Sequence, residues 1–203
     1  MTTDIVIAWY NEDINWINTD ENIKNNSKVY CKNNENRIKP YGIEYIKLPN
    51  VGRESHTYIL HIIEHYDNLA DTTFFLQGKC TDHCANYLEL IKENFNNRTP
   101  GFTPLGHWKL LLSKDFNCKY WDEKGRKLTE KIYHELFGDN LPATDIAFTA
   151  GALFFVSKDA IKRRSIEFWR KCLSYVDYHI CPDEGYVLER LWNVIFSDIP
   201  SLL

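Results

Sequence analysis

The stretch "IEYIKLPNVGRESHTYILHIIEHYDNLADTTFFLQG", residues 43 to 78, decides the fold because its hydrophobic pattern changes twice. The run "IEYIKL" is typical of a short strand, whereas Ile59, Leu60, Ile63 and Tyr66 recur at the spacing of one helix face. The segment "DTTFFLQG" then returns to the pattern of a buried strand. A strand, a helix and a strand in this order predict a βαβ unit with two parallel strands.

Further strands and helices surround this unit. We predict strands at "DIVIAWY" (4–10), "SKVYCK" (27–32) and "KLLL" (109–112), a loop over 96–108 and a single strand within 141–161. We predict one helix that begins at an N-cap on Thr81 or Asp82, a second over 126–137 that stops at Gly138, and a third after a cap near Ser157. Most of the chain after that is also predicted to be helical. The alternation predicts one α/β domain over residues 1–203, with a mostly parallel central sheet flanked by helices.

The composition narrows the classes of protein. The 203 residues are 44% hydrophobic, enough to bury one substantial core. The net charge of -4 comes from 24 basic and 28 acidic residues that are interspersed, so we expect no nucleic-acid binding. No run approaches the roughly 18 apolar residues that a membrane-spanning helix needs. Six cysteines without a CxxC pair, and no apolar leader after Met1, predict reduced thiols and a cytoplasmic protein.

The segment "HIIEH" allows two interpretations. His61, Glu64 and His65 match the H-x-x-E-H pattern, in which two imidazoles one helical turn apart bind zinc. The pattern has only three fixed residues, and the sequence offers no recognisable third ligand near it. The alternative, which we favour, is that the neighbouring aliphatic residues pack inward while these three side chains face water or line a groove.

A third interpretation concerns the start of the same helix. The residues "LPNVGRE" put Asn50 and Gly52 just before a first turn that carries Arg53 and Glu54. Free amides at a helix start, the positive end of the helix dipole and a guanidinium all favour phosphate. The segment therefore predicts a pyrophosphate pocket, with an ordinary capped helix and a solvent-facing arginine as the alternative.

Five segments in order resemble one protein family. They are "YNED", "LPNVGRESHTYILHIIEHYDNL", "TTFFLQGKCTDH", "AGALFFVSKDAI" and "DEGYVLERLWNVIF". Over most of its length the chain resembles the family called domain of unknown function 3431, which is itself similar to the GT-A glycosyltransferases. The resemblance implies a GT-A-like, Rossmann-like domain that transfers a sugar from a nucleotide sugar with the help of a metal ion.

The resemblance also assigns residues to the donor site. The donor-binding residues that it implies are Tyr10, Asn11, Glu12, Asn50, Gly52, Arg53, Gln77 and Gly151. The tyrosine would stack on the base, its two successors would contact the uracil or ribose, and the arginine would lie near the diphosphate. The late glycine would leave space beside the donor sugar, although a glycine in a strand also suits close packing.

The implied metal site departs from the GT-A pattern. Those enzymes usually carry a D-x-D motif after the strand that corresponds to "TTFFL", but this chain continues with "QGKCTDH". One carboxylate, one imidazole and the donor diphosphate can bind Mn²⁺ or Mg²⁺. The resemblance therefore implies a metal held by Asp82 and His83, with metal-free catalysis, lost activity or a plain N-cap at Asp82 as alternatives.

The segment "CPDEG" carries the implied catalytic base. Asp183 or Glu184 would remove the proton of the acceptor hydroxyl in an inverting reaction. The alternative is that acidic residues in a first helical turn only stabilise the helix dipole. Trp108 and Trp121 could stack on an acceptor sugar.

These inferences predict an inverting glycosyltransferase that uses a nucleotide sugar, with Mn²⁺ or Mg²⁺ as the implied metal, and a carbohydrate or glycoconjugate acceptor. A degenerate GT-A-like domain that binds a sugar, a nucleotide or a protein without catalysis is the alternative, and the missing D-x-D supports it. Metal-dependent hydrolysis at "HIIEH" is a third hypothesis.

Overall fold

The computed structural model describes residues 1–33, 42–96, 101–107, 109–112, 122–142 and 146–197. The strands are β1 (Thr3–Trp9), β2 (Ser27–Cys31), β3 (Tyr45–Lys47), β4 (Thr72–Gln77), β5 (Phe102–Pro104), β6 (Lys109–Leu112), β7 (Ile146–Thr149) and β8 (Phe154–Ser157). The helices are α1 (Glu21–Asn26), α2 (Arg53–Glu64), α3 (Tyr87–Asn94), α4 (Glu123–Phe137), α5 (Lys158–Lys162), α6 (Ile166–Ser174) and α7 (Asp183–Phe196). Short 3₁₀ helices cover Asn15–Thr19 and Tyr66–Asn68.

Six strands form one sheet in the order β3, β2, β1, β4, β8, β5. β1 is parallel to β2 and to β4, so that Ile5 lies opposite Ser27 on one side and Phe74 on the other. β3 is parallel to β2, whereas β8 is antiparallel to β4 and β5 is antiparallel to β8. β6 and β7 form a separate antiparallel pair. These pairings confirm the predicted α/β class and the mostly parallel sheet.

The sheet is buried on both faces, and the alternation of side chains along β1 shows why. Val6 packs into a cluster with α2, α6 and α7, whereas Ile5 and Ile7 pack into a second cluster with α1 and α3. All three side chains have no exposed surface. A strand covered on both sides needs a continuous apolar run, which is what "DIVIAWY" supplies.

The strand order creates a reversal between β1 and β4. The chain adds β2 and β3 on one side of β1 and then crosses back through α2 to place β4 on the other side. In open α/β sheets a crevice forms outside the carboxyl ends of the strands at such a reversal, and ligands bind there. The fold therefore directs attention to the residues that follow β1 and β4.

Three predicted boundaries were wrong. The helix expected at Thr81 or Asp82 begins at Tyr87, because turns closed by the Cys80 carbonyl precede it; that oxygen accepts from the amides of His83 and Cys84 at 3.1 and 2.9 Å. The single strand expected within 141–161 is two strands, β7 and β8, which belong to different sheets. The expected loop over 96–108 contains β5, an edge strand, where a terminal proline is tolerated.

Several predicted helix ends were confirmed. α4 stops at Gly138, which has the left-handed φ of 77° that favours glycine, and its start lies at Glu123, three residues before the predicted one. The hydroxyl of Ser157 accepts from the amide of Ala160 at 3.2 Å and caps α5. In the part of the chain that the structure describes, no helix has the length and apolar character needed to cross a membrane.

Candidate functional site

The carboxyl end of β1 turns sharply, and Glu12 builds that turn. Its carboxylate oxygen Oε2 accepts from the amides of Tyr10 and Asn11 at 2.9 and 3.1 Å. The same oxygen lies over Gly78, the first residue after β4, where an added Cβ would come within 2.7 Å of it. Glu12 therefore joins the two strand ends at the reversal, while Tyr10, which is 43% exposed, and Asn11 remain open to solvent.

The start of α2 lies at the same edge of the sheet, and two of its amides are occupied. Gly52 and Arg53 both have left-handed backbones, with φ of 62° and 49°. The Gly52 amide donates to the carbonyl of His179 at 2.7 Å, and the Arg53 amide donates to that of Ile180 at 3.3 Å. The prediction of free amides at this helix start was wrong for Gly52 and Arg53, because the segment before α7 caps this end of α2.

The side chain of Arg53 stays available as a cation. Its guanidinium carbon lies 4.6 Å from the centre of the Tyr186 ring, and its Nε lies 3.6 Å from Oε2 of the buried Glu54. The side chain is 32% exposed. Stacking on an aromatic ring holds the charge in place while its outer edge can meet an anion. Arg53 is thus the residue of the predicted pyrophosphate pocket whose side chain is placed to meet an anion, and its binding of a diphosphate stays a prediction.

Glu189 of α7 lies close enough to Arg53 for their charges to interact, and it was not singled out in the sequence. Its Oε1 accepts from the amide of Gly151 at 2.7 Å. Burial raises the pKa of the Glu189 carboxyl, and the charge of Glu54 raises it further, against the lowering effect of that hydrogen bond and of Arg53. α7 also carries Asp183, Glu184 and Arg190, so nothing in its sequence distinguishes Glu189 from a surface carboxylate.

The turn between β7 and β8 brings His83 to the site. Gly151 has a φ of 99°, and a Cβ on it would lie 2.3 Å from Cγ of the His83 ring. Asp82, the neighbouring residue, is exposed and forms an ion pair with Lys79 at 2.8 Å. The two predicted metal ligands therefore have different surroundings: the imidazole packs on Gly151, and the carboxylate lies on the surface.

The described residues do not offer a protein-only metal site. Among them, no three His, Cys, Asp or Glu side chains form a group that could hold an ion. Asp82 lies on the surface in an ion pair with Lys79. A Mn²⁺ or Mg²⁺ ion whose remaining ligands come from a bound diphosphate stays a prediction.

The remaining donor residues lie around this edge. Gln77 is the last residue of β4 and is half-buried, and its carbonyl accepts from the Cys80 thiol at 3.1 Å. Asn50 is also half-buried and lies two residues before Gly52. Trp108 and Trp121 lie outside the described residues.

Asp183 and Glu184 begin α7 as predicted, but their contacts are elsewhere. A carboxylate oxygen of Asp183 accepts from Lys124 at 2.7 Å, and Oε2 of Glu184 accepts from the Tyr178 hydroxyl at 2.7 Å. Both line an open groove of about 410 Å³ together with lysines of α4. The carboxylate that α7 presents to Arg53 is Glu189, which follows more than one turn later.

A buried lysine donates hydrogen bonds to carbonyls at the start of α2. Lys32, directly after β2, is 4% exposed, and its Nζ donates to the carbonyls of Val51, at 2.5 Å, and Arg53. Burial lowers the pKa of Lys32 to about 7. His56, whose Nε2 lies 3.2 Å from Asp177, has a lowered pKa, chiefly through burial and then through the charge of Lys32. Lys32 was missed because a single lysine after a strand resembles any surface lysine.

The zinc interpretation of "HIIEH" is contradicted. His61 has no exposed surface, and its Nδ1 lies 2.9 Å from the Tyr30 hydroxyl. Its ring stacks on that of His65, with centres 4.4 Å apart. Burial lowers the pKa of His61 to about 3, so the ring is neutral. The favoured alternative was also wrong for His61, which packs in the core, whereas Glu64 is exposed as expected.

A comparison with protein families identifies the chain. The model of the family described as "Protein of unknown function (DUF3431)" matches residues 5–201. The chain belongs to this family. Comparisons with curated proteins and with solved structures found no match. The description of the DUF3431 family names no activity, so the function is argued from the geometry of the site.

Proposed function

We propose that this DUF3431 protein is a glycosyltransferase that moves a sugar from a nucleotide sugar to a hydroxyl group. The observation that carries the proposal is the strand reversal between β1 and β4, with an exposed aromatic ring after β1, an arginine at the start of α2 and a half-buried carboxylate of α7. These residues are Tyr10, Arg53 and Glu189. Open α/β sheets bind nucleotides at this place.

The donor would span the crevice from β1 to α2. Tyr10 stacks on the base, Asn11 contacts the nucleoside, and Arg53 binds the diphosphate through charge-assisted hydrogen bonds. Glu12 shapes the β1 turn, since its carboxylate already accepts two amides. Because the described donor set around Asp82 and His83 does not fit a metal held by the protein alone, we assign no step to an ion.

The transfer needs a base for the acceptor hydroxyl. The acceptor oxygen bonds to the anomeric carbon as the bond from that carbon to the diphosphate oxygen breaks. The electron pair of the broken bond leaves with the nucleoside diphosphate, whose growing charge Arg53 stabilises. We assign the acceptor proton to Glu189, because a carboxyl with a raised pKa is a stronger base and this one faces Arg53.

Release of nucleoside diphosphate from UDP- and GDP-sugars, with a panel of hydroxyl acceptors, tests the proposal. Glu189→Gln keeps the shape of the side chain and should lower kcat by roughly 100-fold or more, the scale of a lost general base. Glu184→Gln and Asp183→Asn are matched controls and should keep kcat within about threefold. A larger loss in Glu184→Gln or Asp183→Asn than in Glu189→Gln would return the base to the start of α7.

Binding without transfer is the second candidate function. It is favoured by the occupied amides of Gly52 and Arg53, which remove two of the phosphate contacts that a helix start offers. Under this alternative, a nucleotide sugar binds at the crevice, but no acceptor or metal produces diphosphate release.

A further inference from the structure

A cavity lies on the far side of Glu189, between the end of α7 and the strands β5, β7 and β8. Its volume is about 280 Å³. Aromatic side chains from each of these elements form much of its wall, and the polar groups on it are few. The residues on which the argument rests are Phe102, Phe148, Phe154, Trp192, Asn193 and Glu189.

The polar groups of the wall are unequally satisfied. The Asn193 amide donates to the carbonyl of Ala147 at 3.3 Å. Trp192 is 2% exposed, and its Nε1 donor has no hydrogen-bond partner. That donor has almost no accessible surface, so it does not face the cavity. The wall that a ligand would meet is mostly apolar, and a ligand for this cavity therefore has a mostly apolar body.

Glu189 is shared by the cavity and the proposed transfer site. The same carboxylate lines the cavity wall and accepts from the amide of Gly151, on which the His83 ring packs. A hydroxyl at the mouth of the cavity can donate to this carboxylate while the rest of the ligand stays among the aromatic side chains.

The size and polarity of the cavity select the ligand. A cavity of roughly 150 Å³ lined by apolar side chains binds benzene, so one of nearly twice that volume accommodates a bicyclic ring system or an alkyl chain of similar size. A bare sugar would press many hydroxyls against apolar walls without partners, which is costly.

We propose that this cavity binds the apolar body of the acceptor, an aromatic or alicyclic alcohol or phenol of about the size of a naphthol, with its hydroxyl at Glu189. The role as acceptor rests on the proposed function, whereas binding at the cavity does not. The acceptor class is thereby narrowed from any carbohydrate or glycoconjugate to compounds with an apolar body.

Calorimetric titration of 2-naphthol, without nucleotide, tests the binding. Wild type should bind one equivalent saturably, and glucose should not bind under the same conditions. Ala147→Phe places a ring in the cavity and should raise Kd at least tenfold, and Ala147→Leu should raise it less. Ser174→Phe adds the same ring on the exposed end of α6 and should leave Kd unchanged.

Circular dichroism shows which variants are folded, and Ala147→Leu keeps the test valid if Ala147→Phe does not fold. The inference would be overturned if wild type did not bind 2-naphthol saturably. It would also be overturned if Kd were unchanged in the folded Ala147 variants. Arg53→Ala separates the two proposals, because it should abolish nucleotide binding and leave naphthol binding intact. Naphthol binding without any sugar transfer would refute the transferase and retain the cavity site.

Discussion

Replacing Lys32 by methionine should change the pH dependence of stability. Burial lowers the pKa of Lys32 to about 7, against 10.5 for an unfolded lysine. Between these values the unfolded chain holds a proton that the folded chain has released, so the free energy of unfolding rises with pH. The slope for one proton is about 1.4 kcal/mol per pH unit, which integrates to about 2 kcal/mol between pH 7 and pH 9.

The assay is urea unfolding of wild type and Lys32→Met at pH 7 and pH 9, followed by tryptophan fluorescence under reducing conditions. The difference in unfolding free energy between the two proteins should move by about 2 kcal/mol in favour of wild type at the higher pH. Burial also raises the pKa of Cys80 and Cys172, which opposes this slope, but that contribution is common to both proteins and cancels.

The control is Lys28→Met, which removes an exposed lysine from the same strand. Its stability should differ from that of wild type by the same amount at both pH values. A difference between wild type and Lys32→Met that stays constant within about 0.5 kcal/mol would show that Lys32 keeps its proton and would refute the burial argument.

Three further predictions concern stability. Gly52→Ala should lower Tm in thermal unfolding more than Gly138→Ala does. Both positions have a left-handed backbone, but only a Cβ at position 52 would meet an obstacle, the Val176 carbonyl at 2.4 Å. Equal losses of Tm in the two variants would contradict this. Glu189→Gln should have a higher Tm than wild type at pH 8, because a carboxyl with a raised pKa destabilises the fold once it ionises. The difference in Tm should disappear towards acid pH. A Tm lower than that of wild type at pH 8 would argue that the charge is stabilising. His61→Phe should make the free energy of unfolding less dependent on pH between 4 and 6.5. The reason is that the buried imidazole of His61 stays neutral in the folded protein, whereas it takes up a proton in the unfolded chain. An unchanged slope of unfolding free energy against pH would contradict the low pKa of His61.

The sequence predicted the elements that have a strong period. The apolar run of β1 predicts burial on both faces, which the structure confirms. The helical spacing of Ile59, Leu60 and Ile63 predicted that α2 is a helix but not how it is buried, because polar residues of this helix, such as His56 and His61, are buried as well. The division of residues 141–161 into β7 and β8 could not be seen in the same way. Both strands are apolar, and the turn at Gly151 that separates them depends on contact with His83, 68 residues earlier in sequence.

The sequence pointed to candidate site residues that lie at the ends of predicted elements. It missed those that are placed by contacts between segments distant in sequence. Tyr10 and Arg53 could be found because they end or begin predicted elements. Glu189 and Lys32 could not, because their importance arises from burial against Gly151 and the Val51 carbonyl. The amides at the start of α2 show the reverse case, in which a local signal was cancelled by the carbonyl of His179.

Calorimetric titration of UDP, GDP and their sugars, with and without Mn²⁺, tests the central claim that the crevice binds a nucleotide donor. Wild type should bind at least one of these ligands, Arg53→Ala should lose at least tenfold in affinity, and Arg170→Ala, which removes an exposed arginine of α6, should bind as wild type does. Dependence on Mn²⁺ that disappears in Asp82→Ala would support the metal prediction. Failure of wild type to bind any of these nucleotides under either condition would contradict the donor site and the transferase with it.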